Sequence, residues 1–152
     1  MPDAPTWTVK IDAPPDKVWP LVADVGRHGE WSPKSYRMEW IEGEPNVVGS
    51  RFRSVGWLPN DKNHTMEGRV TVNDPMTRFE VVSSDDGTKA TEWTNRYDVS
   101  SQGATTTVVK TMSGPPTKGF GKLAFAIAFP LIVRPGVQKG MDMLKSKAEA
   151  SA

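Results

Sequence analysis

The chain contains no cysteine in 152 residues, which removes disulfides, thiolate nucleophiles and cysteine metal sites together. Histidine is nearly as scarce. His28 and His64 stand 36 residues apart without a companion pair, so the ligand set for zinc is missing and no metal is expected. No G-x-S-x-G elbow presents a serine nucleophile, which leaves a Ser-His-Asp triad without its first member. Charge is balanced at a net +1, and basic residues do not cluster with stacking aromatics, so no nucleic-acid partner is implied. Residues 1 to 10, MPDAPTWTVK, hold no apolar stretch of signal-peptide length. The longest uncharged apolar run, Leu123 to Val133, has eleven residues, and crossing a bilayer takes about 20. A cytoplasmic protein is the default expectation. Internal repeats and low-complexity segments are absent as well.

What is present suits one domain over residues 1–152, since a chain this long buries about two thirds of its unfolded surface. Residues 118 to 149 are the one stretch able to form a long helix. Leu123 to Val133 is apolar on every side, and such a helix is expected to be covered by other structure. Beyond it Val137, Met141, Leu144 and Ala148 recur at spacings of four, three and four, which predicts one buried stripe. Pro130 and Pro135 each delete a helical hydrogen bond and predict a kink or break between Phe129 and Gly136. From Lys118 onward six basic residues face two acidic. The simple reading is a solvated face whose lysines lay their stems over apolar surface, and the alternative is transient membrane contact. Monomer and homodimer are both compatible with the sequence.

Ahead of this helix, Trp7, Val9 and Ile11 alternate with polar residues, the period of a strand with one buried face. Pro15 opens a short helix to about Ala23, with Pro20 expected to bend its last turn, and Asp24 caps a second through about Trp31. Six further strand-like runs follow, Tyr36 to Glu42, Arg51 to Leu58, His64 to Asn73, Arg78 to Ser83, Thr91 to Val99 and Thr105 to Met112. Segments rich in Gly, Pro, Asn, Asp and Ser separate them. Gly114, Pro115 and Pro116 end the last strand, and Thr117 can cap the long helix.

That order is the order of a helix-grip fold. Residues 11 to 33, IDAPPDKVWPLVADVGRHGEWSP, resemble the opening of the START-like (SRPBCC) superfamily, most closely its polyketide cyclase/dehydrase branch of actinobacterial type. The matching positions are Ala13, Pro14, Val18, Trp19, Asp24, Glu30, Trp31, Ser32 and Pro33. Further matches are Gly49 to Phe52, Phe79 with Val81, Trp93, and Met141, Leu144, Lys145, Ala148 and Glu149 near the end. These are structural positions, with Trp19 and Trp31 plugging the two short helices onto the sheet. The resemblance implies an α+β helix-grip fold in which a seven-stranded curved antiparallel sheet wraps a long C-terminal helix, with two short helices after the first strand. It also implies a cavity for a small hydrophobic molecule such as a lipid, sterol or polyketide; no cofactor is expected. It does not single out a reaction, because members include carriers, sensors and cyclases.

Strand parity then selects pocket candidates. The expected inward set is Trp7, Val9, Ile11; Tyr36, Met38, Trp40; Phe52, Ser54, Gly56; His64, Met66, Gly68, Val70, Val72; Phe79, Val81; and Trp93, Asn95, Tyr97, Val99. In the last strand Val108 and Val109 compete. Gly56 and Gly68 hint at open space, or at bends where the sheet curves. An empty cavity of about 300 Å³ would cost about 7 kcal/mol, so space of that size should hold water or ligand. The ligand-binding candidates are Tyr36, Met38, Phe52, Ser54, His64, Met66, Phe79, Trp93, Asn95, Tyr97, Phe125 and Phe129, with the Phe125 to Arg134 segment gating the mouth. The leading function is binding of a small hydrophobic ligand as carrier or sensor. A second is a cyclase or aldolase in which His64 is the base and Asn95 and Tyr97 donate to an enolate oxygen. A third is a stress-response or protein-interaction module with a vestigial pocket. A match to G-x-G-x-x-A at Gly119 to Ala124 lacks the second parallel strand of a dinucleotide site.

Overall fold

The computed structural model describes residues 4–32, 36–56, 63–85, 92–114, 123, 127 and 129–151. Leu58, Thr91, the Thr117 cap, the Gly119 to Ala124 match apart from Leu123, and Phe125 fall outside them. β1 (Thr6–Ile11) leads into α1 (Pro15–Val22) and a 3₁₀ helix (Val25–Trp31). Six strands follow, β2 (Arg37–Glu42), β3 (Arg51–Val55), β4 (Thr65–Asp74), β5 (Arg78–Ser84), β6 (Trp93–Gln102) and β7 (Thr105–Ser113). A π-helical turn, Phe129–Val133, then runs into α2 (Arg134–Ala150). The strands form one antiparallel sheet in the order β1-β7-β6-β5-β4-β3-β2. This is the helix-grip arrangement, with each strand within a few residues of where hydrophobic alternation places it.

Alternation decides which face is buried. Trp7, Val9 and Ile11 are buried while Thr6, Thr8 and Lys10 are exposed. The opposite face carries the charges, paired across strands as Arg51–Glu42, Arg53–Glu39, Arg69–Glu92 and Arg78–Asp98. Strand β4 departs from simple alternation. Val70 pairs with Val81, but Val72 pairs with Glu80 and Asn73 with Phe79, so the register shifts by one residue at Thr71. A bulge adds a residue to one strand and exchanges the faces beyond it. Val72, expected inward, therefore lies on the outer face with Glu80, and Asn73 takes the inner position. In β7 the pairing Val99↔Val108 resolves the parity, with Val108 inward and fully buried.

The long helix is anchored at both ends of β1. Trp7 Nε1 donates to the Arg134 carbonyl at 3.2 Å, and the Asp12 amide donates to the Glu149 carboxylate at 2.8 Å. Between these anchors Met141, Leu144 and Ala148 form the buried stripe, with Val137 half-buried. Where Pro130 and Pro135 were expected to break the helix, the α-helical ladder begins only at Arg134, after the π-type turn. α1 tolerates Pro20, since the Ala23 amide still reaches the Trp19 carbonyl at 2.8 Å. The expectation that Leu123 to Val133 is covered all round does not hold. Leu123, Ile127, Leu131 and Ile132 are 57%, 57%, 72% and 59% exposed. A helix face is buried only where a neighbour stands, and of this stretch's described residues Phe129 is the one packed on the core, its ring 6.1 Å from Trp7.

Candidate functional site

Strand register assembles the concave face in rows of directly paired side chains. One row crosses five strands as Asn73, Phe79, Tyr97, Lys110 and Trp7. The next runs Val70, Val81, Asn95 and Met112, and a third Phe52, Gly68, Ser83 and Trp93. Burial is graded across them. Phe79, Tyr97, Val99 and Val108 belong to the core, whereas Met38, Trp40, Met66, Trp93, Asn95 and Met112 are half-buried. The half-buried set is apolar and aromatic with one amide, the usual lining of a small-molecule site.

The sequence candidates separate into three places. Met38, Ser54 and Met66 are directly paired across β2, β3 and β4, with Ser54 fully buried. Phe52 lies over Gly68, where an added Cβ would sit 2.4 Å from its ring, so Gly68 is filled by an aromatic ring and does not mark open space. Gly56 serves its backbone, at φ 99°, a conformation that favours glycine. Trp93 covers Gly114 in the same way at 2.4 Å, and Asn95 and Tyr97 follow it on the inner side of β6. Tyr36 lies against Gly29 of the 3₁₀ helix, its Cδ1 3.4 Å from where a Cβ would be. His64 stands apart from these. It precedes β4, is a quarter exposed, and its Nε2 lies 2.7 Å from Asp85 Oδ1 in the turn after β5. Phe129 packs on Trp7 at the opposite side of the sheet.

Sequence reasoning found the two tyrosines of this face and missed the amine and the imidazole beside them. Lys110 is 7% exposed on the concave side, its Nζ 5.2 Å from the centroid of the Tyr97 ring. Burial pulls its amine down to about 8. Above Tyr97 sits His28, their rings 5.7 Å apart, and Trp31 and Phe79 complete the cage. His28 Nε2 donates to the Val22 carbonyl at 2.8 Å, because a carbonyl can only accept. Burial, opposed by that hydrogen bond and helped by the Lys110 charge, lowers the imidazole to about 4, so it is neutral at pH 7. Burial raises the Tyr97 and Tyr36 phenols, which therefore keep their protons. The result is an interior group of an amine, an imidazole and two phenols.

The 3₁₀ helix that delivers His28 is held by a short network. Trp31 Nε1 donates to the Leu21 carbonyl at 3.1 Å, and Asp24 Oδ1 accepts from the Gly26 amide and from Asn46 Nδ2, each at 3.0 Å. Asn46 Oδ1 accepts from the Val25 amide, and the inward Asn73 donates to the Asn46 carbonyl. On the outside Glu30 bridges Arg27 and Lys147, which pull its carboxyl down to about 2.

Two clefts bounded by described residues lie away from this centre. One, of about 390 Å³, runs between Glu30 and the Lys139 to Lys147 side of α2; the other, of about 240 Å³, lies beside Met38 and Arg53. Among the described residues, no cluster of three or more His, Asp or Glu is placed to hold a metal ion, and no helix is long and apolar enough to cross a membrane.

A family model described as polyketide cyclase / dehydrase and lipid transport matches residues 6–149. No curated protein matches the chain. Among solved structures, protein TTHA0849 from Thermus thermophilus is similar at TM-score 0.72 and 18% identity, with 99% of each chain covered. Ms6760 from Mycobacterium smegmatis is similar at 0.66 and 16%, covering 97% of this chain and 91% of that one. The di-domain ARO/CYC protein BexL from the BE-7585A biosynthetic pathway aligns at 0.71 and 22% over 98% of this chain, which spans 47% of BexL. At these identities the likeness establishes the fold alone.

Proposed function

Because the chain belongs to the polyketide cyclase/dehydrase and lipid transport family, we propose that it binds a small hydrophobic molecule on the concave face of its sheet, as a carrier or sensor. The observation that carries this reading is the half-buried lining of Met38, Trp40, Met66, Trp93 and Met112. These side chains sit on the buried face of the sheet without being closed off, so an apolar guest would gain by covering them, at about 25 cal/mol per Å² removed from water. Asn95, half-buried on the same face, would supply the polar contact that orients it, with Ser54 and Tyr97 buried behind the lining. Native mass spectrometry of freshly purified protein, beside a denaturing run and an organic extract, tests the reading. The expected result is a mass excess that vanishes on denaturation, with an apolar compound in the extract. If there is no excess and a panel of apolar compounds also leaves the melting temperature unchanged, the proposal fails.

The enzymatic alternative, a cyclase or aldolase, draws on Asn95 and Tyr97 as adjacent inward donors on β6. Its proposed base, His64, bonds to Asp85 beyond the paired part of β4, two strands from β6. This separation favours binding over chemistry led by His64. Turnover of a polyketide-like substrate that is lost in His64→Ala, with binding retained, would reverse that preference.

A further inference from the structure

Among the described residues of the seven strands, Lys110 is the one charged side chain on the concave face. Every other charge of the strands lies on the outer face or at a strand end, and most of these acids and bases pair with each other there. No described carboxylate comes within ion-pair distance of Lys110, and its ammonium instead lies over the face of the Tyr97 ring at 5.2 Å. The groups packed around it offer no negative charge. Tyr97 on β6 keeps its proton, and His28 on the 3₁₀ helix is neutral. Trp7 on β1 is uncharged, and Arg134 at the start of α2 is a second cation, exposed on the Trp7 ring at 5.0 Å. Taking an ammonium out of water without a counter-ion is unfavourable, and a bound anion would offset it.

We propose that the apolar guest carries a carboxylate, and that Lys110 is its counter-ion inside the concave face. This rests on the binding reading above and names the chemical class of its ligand. A monoanion matches the single buried cation. A dianionic phosphate would leave one charge uncompensated inside the face, since His28 is committed through Nε2 to the Val22 carbonyl and Arg134 lies on the solvent side of the Trp7 ring. Met112, two residues along β7 on the same face, and Trp93 on β6 are half-buried and would take the hydrocarbon part.

The test is calorimetric titration of the full chain at pH 7 with octanoic, dodecanoic and hexadecanoic acids, each against the alcohol of equal chain length. In the wild type at least one acid should bind about tenfold or more tightly than its alcohol, the scale of a charge-assisted hydrogen bond. In Lys110→Met that ratio should fall to about one. Lys110→Gln carries the same readout should the methionine variant fail to fold. Equal binding of acid and alcohol by the wild type, or a preference that survives in the variant, overturns the assignment of Lys110 and leaves the binding reading standing. If neither member of any pair binds the wild type, this inference falls, and the binding reading is decided by the mass-spectrometric test above.

Discussion

Replacing Lys110 by methionine should make the protein more stable. The amine titrates at about 8 in the fold against 10.5 when free, and burial is the cause. At about 1.4 kcal/mol per unit, the charged form costs the fold about 3 kcal/mol. The folded value is the lower one, so the cost is full below about pH 8 and fades as pH rises toward 10.5. Methionine keeps most of the volume and removes the charge. It also removes the contact of the ammonium with the Tyr97 ring, worth about 0.5–2 kcal/mol. The net gain at pH 7 is then about 1–2 kcal/mol, which for a chain of this length raises the melting temperature by about 2–8 °C. Urea unfolding of both proteins at pH 7 and pH 10 separates the terms, because every other titrating group is shared and cancels in the difference. Between those two values the wild type should recover about 2 kcal/mol relative to the variant. A variant several kcal/mol less stable than the wild type at pH 7, or a difference independent of pH, would refute the account of a desolvated, unpaired cation.

His28 predicts the acid side. Its imidazole titrates at about 4 in the fold against 6.5 when free, so the unfolded chain binds the extra proton between those values. Stability should therefore fall by about 3 kcal/mol as pH drops from 6.5 to 4. NMR titration of the ring reads the value directly, and His28→Gln, whose amide can still donate to the Val22 carbonyl, should flatten the acid limb; a ring that titrates near 6.5 contradicts the burial argument. Gly68→Ala places a Cβ 2.4 Å from the Phe52 ring and should cost about 1–3 kcal/mol in chemical denaturation. Most of that should return in a Phe52→Val background, and a neutral Gly68→Ala would show that the ring does not lie over the glycine.

The backbone plan was legible because its signals are local. Alternation at Trp7, Val9 and Ile11, proline at the first turn of α1 and the stripe Met141, Leu144, Ala148 each follow from a few neighbouring residues. Of the polar centre Tyr36 and Tyr97 were legible and Lys110 and His28 were not, the lysine because its place depends on register. Adjacent valines at 108 and 109 left the parity of β7 open, and a lysine two residues on reads as a surface charge. The hairpin contained the answer. A two-residue turn at Gly103, φ 63°, pairs Gln102 with Thr105, and counting back from it sets Lys110 opposite Tyr97. His28 was passed over for want of a metal partner, although Val25, His28 and Trp31 recur every three residues, the repeat of a 3₁₀ face. The coverage of Leu123 to Val133 was misjudged because an apolar circumference states a need for neighbours without supplying them.

The bulge at Thr71 makes β4 two half-strands in opposite phase. A substitution scan along it should tolerate polar residues at odd numbers before the bulge and at even numbers after it, with the quiet and sensitive positions trading places at one residue. The same slip brings Asn73 to Asn46 and, through Asp24, to the cap of the helix that carries His28. Deleting one residue near Thr71 would restore an unbroken alternation that looks better on paper. Asn73 would keep its place opposite Phe79 and its bond to Asn46, and the loss would be confined to the bonds that the Thr71 hydroxyl gives to Glu80.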